Sequence, residues 1–599
     1  MSELTPSHRF DWAALALWVI ASMIGVFFAT LVMDSAFFEG AYIPMGNDSF
    51  YHAARMLDTA VGERGFYQFD ERIHVPDGSW IPWPWAYDYL MGRAAALAVW
   101  ISPSTDPLGF LSFVPVVWLP INAALFLAAA NQAQLRLPYL AIAALGFALA
   151  PFVQLMHMVG KVDHHFIEFT FVLLVTWLGL RWLDGKRDRG SAIALGVALG
   201  LAPGFHNGMF VLQIPVLLSL GILWLRGESF ERQEMLPLAV SLVISTLVIV
   251  VPSEPFRAGL FEFGLLSWFH LYAAFCSAVF IVYIGWQTIS QKTLLMLGGV
   301  CVLLAIPLLG QLLHGAAFMS QDLTILDGVL EAMSPYTLFF HEFGVQRTVA
   351  QYSWLLLLAP VVLLFYLWRA AVEKNPRDLF FAVMTVFGLA MLLVQYRFNY
   401  FGLFALIVGT VLAAQRLADQ YRLHGGMVLV GLLAGILIAY QPPLRQHLFA
   451  VYALGAAPLY ERARPLFLEL SGRCDTDPGV VLANANDGNY LLFHTDCSVV
   501  SNNFRLTAAD EQKINQIHEM MRLPPAVLRE DYPDVGYVVL RITDFVVERD
   551  GSRFVDTSIP FSALLEPNAA APEGYELIET IWLENNGQRQ VYARAFAVN

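Results

Sequence analysis

The segment Gly160-Lys161-Val162-Asp163-His164-His165-Phe166-Ile167-Glu168 holds two carboxylates and two imidazoles within six residues. Asp163 and His165 are two apart, so in an extended turn both side chains point the same way. A carboxylate beside an imidazole suits a divalent cation such as Mn²⁺ or Mg²⁺ better than a thiolate-loving metal. The plainer alternative is a hydrated polar turn. Two ligands do not complete a six-coordinate sphere, so a third carboxylate must come from another segment. Gly46-Asn47-Asp48-Ser49-Phe50-Tyr51-His52 offers Asp48, which could equally cap a helix beginning at Ser49. Two further residues carry possible chemistry. Glu331, before Ser334-Pro335-Tyr336, reads as a positioned acid or base, or as a surface charge. Arg397, in Gln395-Tyr396-Arg397-Phe398-Asn399-Tyr400, has the planar fork that grips phosphate, or else anchors a helix at a lipid interface.

These groups lie in a chain that is 57% hydrophobic and only 14% charged over 599 residues, with a mean hydropathy of +0.57. Soluble domains carry about 25% charged residues. So little charge cannot cover a water-exposed surface of this size, and the chain reads as a polytopic α-helical membrane protein. Its net charge of −14 argues against a nucleic-acid partner. Four cysteines are too few for a disulfide scaffold.

Apolar runs fall at about 12–33, 88–101, 109–130, 138–156, 166–182, 191–208, 209–225 and 235–252, then at 268–286, 293–311, 353–368, 379–395, 398–414 and 426–440. The first is too long for the core of a cleaved signal peptide and is taken as a retained span. Basic residues in the short connections set orientation. They share one side only if the 88–101 run does not cross. That run carries Arg93 and follows Trp80-Ile81-Pro82-Trp83-Pro84-Trp85, as an interfacial helix would. About thirteen spans remain, with the N-terminus in the cytoplasm. The external side then receives a first loop at 34–108, the 158–165 turn, a loop at 312–352 and the C-terminal part. Residues 1–440 form the membrane domain, 441–464 a connector, and 465–599 a small external α/β domain with strand-like runs near 535–540 and 591–594.

The order and spacing of these motifs resemble the oligosaccharyltransferase catalytic subunits of the GT-C superfamily. Asp48-Ser49-Phe50-Tyr51-His52, with Arg55 slightly out of step, is similar to the family's first-loop motif. Asp163-His164-His165 with Glu168 is similar to the Asp-His-His turn of archaeal-type members. Glu331 with Pro335, and Arg397-Phe398-Asn399-Tyr400, follow in the same order. The resemblance implies a GT-C fold of thirteen spans with an external soluble domain. It implies that Asp48, Asp163 and His165 hold Mn²⁺ or Mg²⁺, with His52, His164 and Glu168 in support. Arg397 would bind the phosphate of a polyprenyl-linked sugar donor, and Glu331 and Asp48 would serve the acceptor. Sequon-reading members carry Trp-Trp-Asp-Tyr-Gly in the soluble domain. Here Asn484-Ala485-Asn486-Asp487-Gly488-Asn489 stands at that place, and only Asp-Gly survives.

The leading expectation is therefore a metal-dependent membrane glycosyltransferase, multi-pass in a bacterial inner membrane, with its site on the periplasmic face and a protein acceptor favoured. A transporter or flippase for lipid-linked sugars, or an enzyme modifying a glycan or lipid, are the alternatives. Acids gathered at one face favour surface chemistry, because transport sites sit near the midplane. On an oxidising external side, Cys474 and Cys497 are expected to form a disulfide that brackets the Asn484–Asn489 segment.

Overall fold

The computed structural model describes residues 12–31, 33–62, 64–185, 187–320, 332–342, 344–449, 456–505, 507–549, 552–585 and 588–599. Ten of its helices are long and apolar enough to cross a membrane. A further pair, Gln291–Ala305 and Leu309–Ala317, is bent by 73° and is either one broken span or a re-entrant loop. Lipid-facing side chains stay apolar: Val117, Leu295 and Leu364 are each about two-thirds exposed or more.

Among the described residues, two of the thirteen expected spans are broken into shorter helices. The 138–156 run divides into Leu137–Ala148 and Pro151–Met156. Pro151 cannot donate to the preceding turn, so it starts a new helix instead of continuing the old one. The 191–208 run is helical only over Arg189–Leu201 and then tightens to a 3₁₀ turn at Ala202–Gly204, around Pro203. This short helix lies against Arg232–Val250 at very close range. A Cβ on Gly196 or Gly200 would stand 2.0 Å from Ser241 Oγ or Ser245 Oγ. Small residues four apart let helix backbones approach where lipid offers no hydrophobic drive.

The basic connections meet at one end of the bundle. Arg136 pairs with Asp419, Arg187 with Glu228 and Glu234, Arg377 with Asp184, and Arg416 with Asp378. The opposite end carries the first loop, which folds into two helices, α1 (Asn47–Ala60) and α2 (Trp85–Ile101). Helix α2 is not among the spans, as its Trp-rich entry suggests.

The C-terminal part is a five-stranded sheet. Its strands are β1 (Val480–Leu482), β2 (Ser498–Val499), β3 (Val535–Arg541), β4 (Tyr575–Asn585) and β5 (Gln588–Val598), in the order β4-β5-β3-β1-β2. β1 runs parallel to both β2 and β3, whereas β5 is antiparallel to β3 and β4. The last span's helix continues to Phe449, and helix Ala456–Cys474 leads into the sheet. A Cys474–Cys497 disulfide ties the end of that helix to the entry of β2. The sheet domain is fastened to the first loop: Arg464 pairs with Glu39, Lys513 with Asp77, and Arg72 donates to the Leu492 and Thr495 carbonyls.

Candidate functional site

The site is built around the N-terminus of α3 (His165–Leu183). The turn before it is held by Gly160, whose φ of +80° suits a residue without Cβ; a Cβ there would also press on Ala36, Ile43 and Met45 at 2.9 Å. Gly160 accepts from Met45 N at 2.7 Å and donates to Ser112 at 2.9 Å, which pins the turn to the first loop. Tyr87 of α2 donates to the Val162 and Asp163 carbonyls.

Asp163 is buried and divides its two oxygens. Oδ1 accepts from the His164 backbone at 2.7 Å and lies 2.9 Å from His164 Nδ1. Oδ2 lies 3.2 Å from Lys161 Nζ and 3.3 Å from His165 Nε2. The expected extended turn is absent: the chain bends at Asp163-His164 and enters α3 directly, yet the two side chains still meet. Burial pushes the Asp163 carboxyl up, but His165, Lys161 and His164 outweigh it and hold it well below the usual range. Burial works against protonation of His164, but Glu168 and Asp163 overcome it and raise its pKa well above the ordinary value.

A buried chain of partners extends from this turn. His206 Nδ1 lies 2.9 Å from Glu168 Oε1, which lies 3.3 Å from His164 Nε2. His164 Nδ1 is 3.1 Å from His52 Nε2, and His52 Nδ1 is 2.7 Å from Asp88 Oδ1. Asp88 Oδ2 accepts from Arg55, and both of those side chains are fully buried. Among the described residues, two donor sets are close enough to share one ion: His52, Asp163 and His164, and His164, Glu168 and His206. In the first set His164 Nδ1 lies 2.9 Å from Asp163 Oδ1 and 3.1 Å from His52 Nε2, while His52 Nε2 stands 3.7 Å from Asp163 Oδ1. In the second, the His164 and His206 rings stack at 5.0 Å and 23°. Nearly parallel rings cannot aim both in-plane lone pairs at one ion.

The expected set of Asp48, Asp163 and His165 does not form such a group among the described residues, although Asp163 and His165 meet each other at 3.3 Å. Glu168 Oε2 lies 2.7 Å from His165 Nδ1, the carboxylate–histidine arrangement that fixes a ligand's tautomer. It leaves Nε2 facing Asp163 Oδ2 across 3.3 Å. Adjacent ligands on a cation with bonds of about 2.1 Å sit roughly 3 Å apart. Asp48 stands in the first turn of α1, where its charge suits the helix dipole, and Asn503 of the sheet domain donates to its Oδ1 at 2.5 Å.

Asp48, Lys161, His206, Arg397, Asn503 and Arg505 all line one cavity of about 670 Å³. First loop, second loop, membrane helices and sheet domain each supply a wall. Glu331 lies outside the described residues, but Met333 accepts from Tyr396 N at 2.8 Å, so that end of its loop meets the Arg397 segment.

No family model matches the sequence. The dolichyl-phosphooligosaccharide-protein glycotransferase 1 of Archaeoglobus fulgidus is 28% identical over 173 residues, which is 28% of this chain and 28% of that protein. The match thus spans little more than a quarter of that relative. The fold likeness is far more extensive. The archaeal oligosaccharyltransferase AglB from A. fulgidus, solved with an inhibitory peptide and a dolichol-phosphate, superposes with a TM-score of 0.75 at 16% identity, over 95% of this chain and 80% of AglB. The chain has the oligosaccharyltransferase fold. Another A. fulgidus oligosaccharyltransferase structure, in complex with Zn and sulfate, aligns with a TM-score of 0.61 at 16% identity over 96% of this chain and 73% of that one. A third, tethered to an acceptor peptide containing an NVT sequon, gives 0.66 at 16% identity over 90% and 70%.

On this oligosaccharyltransferase fold, three parts of the site had no clear signal in sequence. His206 is a single histidine at the end of a broken helix. Asp88 sits in the interfacial helix without a motif. Asn503 gave no cue beyond the Asn502-Asn503 doublet.

Proposed function

We propose that this chain is a membrane glycosyltransferase that moves a sugar or oligosaccharide from a polyprenyl-phosphate-linked donor to an acceptor, with protein favoured. The observation that carries the reading is the shared cavity: Asp48, Lys161 and Arg397 face one space, and Asp163 contacts Lys161 at its edge. The fold and the curated relative's name support it. Residues 1–440 would be the membrane catalytic part and 465–599 the external domain, with the site on the periplasmic face of a bacterial inner membrane.

Asp48, Asp163 and His165 would hold Mn²⁺ or Mg²⁺, and a bound cation there supplies charge neutralisation for the phosphate leaving group. Arg397 grips the donor phosphate with its planar fork, and Lys161 adds a point charge beside it. Glu168 fixes His165 through Nδ1. Asp48 and Glu331 orient the acceptor and take up its developing positive charge or its proton.

The acceptor differs from an Asn-x-Ser/Thr sequon in this reading. In the segment that replaces the Trp-rich motif, Asp487 pairs with Arg541 at 2.6 Å and Asn484 donates to Asp544, while Asn486 accepts from Asn47 through its backbone carbonyl and lines the cavity. A pocket discriminates on a hydroxyl only when it offers that hydroxyl a partner. The test incubates the purified chain with a labelled polyprenyl-phosphate sugar and three peptides: Asn with Thr two residues on, Asn with Ala there, and Ser/Thr-rich without Asn. Transfer without sequon dependence supports the proposal. Label in glycan or lipid only would reassign the acceptor, and vesicle translocation of the donor without transfer would make the chain a flippase.

A further inference from the structure

The sheet domain reaches into the site through a run of asparagine amides. Asn489, fully buried, donates from Nδ2 to Asn47 Oδ1 at 2.7 Å and to Asn503 Oδ1 at 2.6 Å. Its own Oδ1 accepts from Asn502 Nδ2 at 3.0 Å, and Asn502 Oδ1 accepts from Phe504 N at 3.2 Å. These bonds fix the polarity of each amide. With its oxygen turned to Asn489, Asn503 must present its N–H group to Asp48, and it does so at 2.5 Å. The reverse flip would set an amide oxygen against a carboxylate.

We propose that Asn503 is a positioning residue for Asp48, so that the cation site is completed by the docked sheet domain and not by the membrane part alone. This rests on the reading of Asp48 as a cation ligand. A carboxylate ligand with one oxygen held by a fixed donor keeps the other in a constant direction, and it loses less freedom on binding. An outer partner of this kind is worth about 10–100-fold in metal affinity. Sequence alone could not show it, because 455 residues separate the two groups.

The experiment measures the Mn²⁺ concentration for half-maximal transfer with the full-length chain. Asn503→Ala should raise it about 10–100-fold. Asn489→Ala, which leaves Asn503 free to rotate, should shift the same constant in the same direction. Mn²⁺ binding followed by electron paramagnetic resonance on the folded, size-selected protein reads the same loss without turnover. Where the alanine variant is not recovered folded, Asn503→Ser, whose hydroxyl is too short to reach Asp48, carries the test. A purely structural Asn503 would lower melting temperature and turnover with the Mn²⁺ constant unmoved, and that result overturns the inference. Asp48→Asn separates the two ideas. If it leaves Mn²⁺ affinity intact, the reading of Asp48 fails; if it weakens Mn²⁺ and the Asn503 variants do not, only the positioning role fails.

Discussion

Asp88→Asn tests the buried end of the site's network. Arg55 and Asp88 are both fully enclosed, with Arg55 also donating to the Tyr67 carbonyl at 3.1 Å and lying 5.0 Å above the Phe66 ring. Nothing else described pairs with its charge, and removing one partner of a buried pair costs about 3–5 kcal/mol because the other is left unpaired. In a chain of this length that lowers the melting temperature by about 3 °C, read by intrinsic fluorescence from its 15 tryptophans. Arg55→Met with Asp88→Leu removes both charges and should restore stability to within about 1 kcal/mol. Transfer should not return with it. Asp88 also fixes His52 Nδ1 at 2.7 Å, and His52 in turn packs on His164 and stands 3.7 Å from Asp163. An unchanged melt in Asp88→Asn, or a double variant that regains both stability and transfer, would falsify the network argument.

Asp163→Ala should abolish transfer with the chain still inserted and monodisperse; full activity in that variant, or in excess chelator, removes the metal role. Arg397→Lys keeps charge but loses the fork, so the donor Kd should rise by at least tenfold, and a change confined to acceptor KM would count against phosphate binding. Thiol labelling without reductant should modify Cys276 and Cys301 only, and replacing Cys474 and Cys497 by Ser should cost the sheet domain about 3 kcal/mol. Burial, with Arg464 nearby, lowers the His494 pKa to about 4. Its folded pKa therefore lies below the unfolded value of about 6.5, so stability is present above pH 6.5 and falls as pH drops toward 4, by roughly 2 kcal/mol between pH 7 and 5. His494 packs against Phe50 of α1 and Phe467, so hydrogen exchange in α1 should rise over that window, and His494→Phe should flatten the profile.

What was legible in the sequence was whatever local pattern dictates. A run of twenty apolar residues has few structural options in a membrane, and ten of the thirteen expected spans reappear as helices long and apolar enough to cross it. The Asp163–Glu168 cluster was legible for the same reason, since residues within one turn of a helix start must be neighbours. The broken helices were harder, because Pro151 and Pro203 interrupt runs whose hydropathy is unbroken. Asp88 and Asn503 were invisible for a different reason. Each acts on a partner 33 or more residues away, Arg55 for one and Asp48 for the other, and neither residue type carries a periodic signal.

The carboxylates near the cavity share one design rule. Asp163 gives Oδ1 to His164 and turns Oδ2 toward Lys161 and His165. Glu168 gives Oε2 to His165 and turns Oε1 toward His206, which lines the cavity. Asp48 gives Oδ1 to Asn503. Each acid thus has one oxygen anchored to a backbone, imidazole or amide donor. Anchoring answers the cost of holding charge near a membrane, because a fixed donor replaces part of the water that a buried carboxylate gives up. It also sets direction. Each anchored carboxylate is thereby prevented from rotating freely. The donors that prevent it come from the second loop, from α3 and, for Asp48, from the sheet domain. A site assembled this way depends on how those elements dock as well as on the acids themselves, so variants at the donors should weaken cation binding while the acids remain in place.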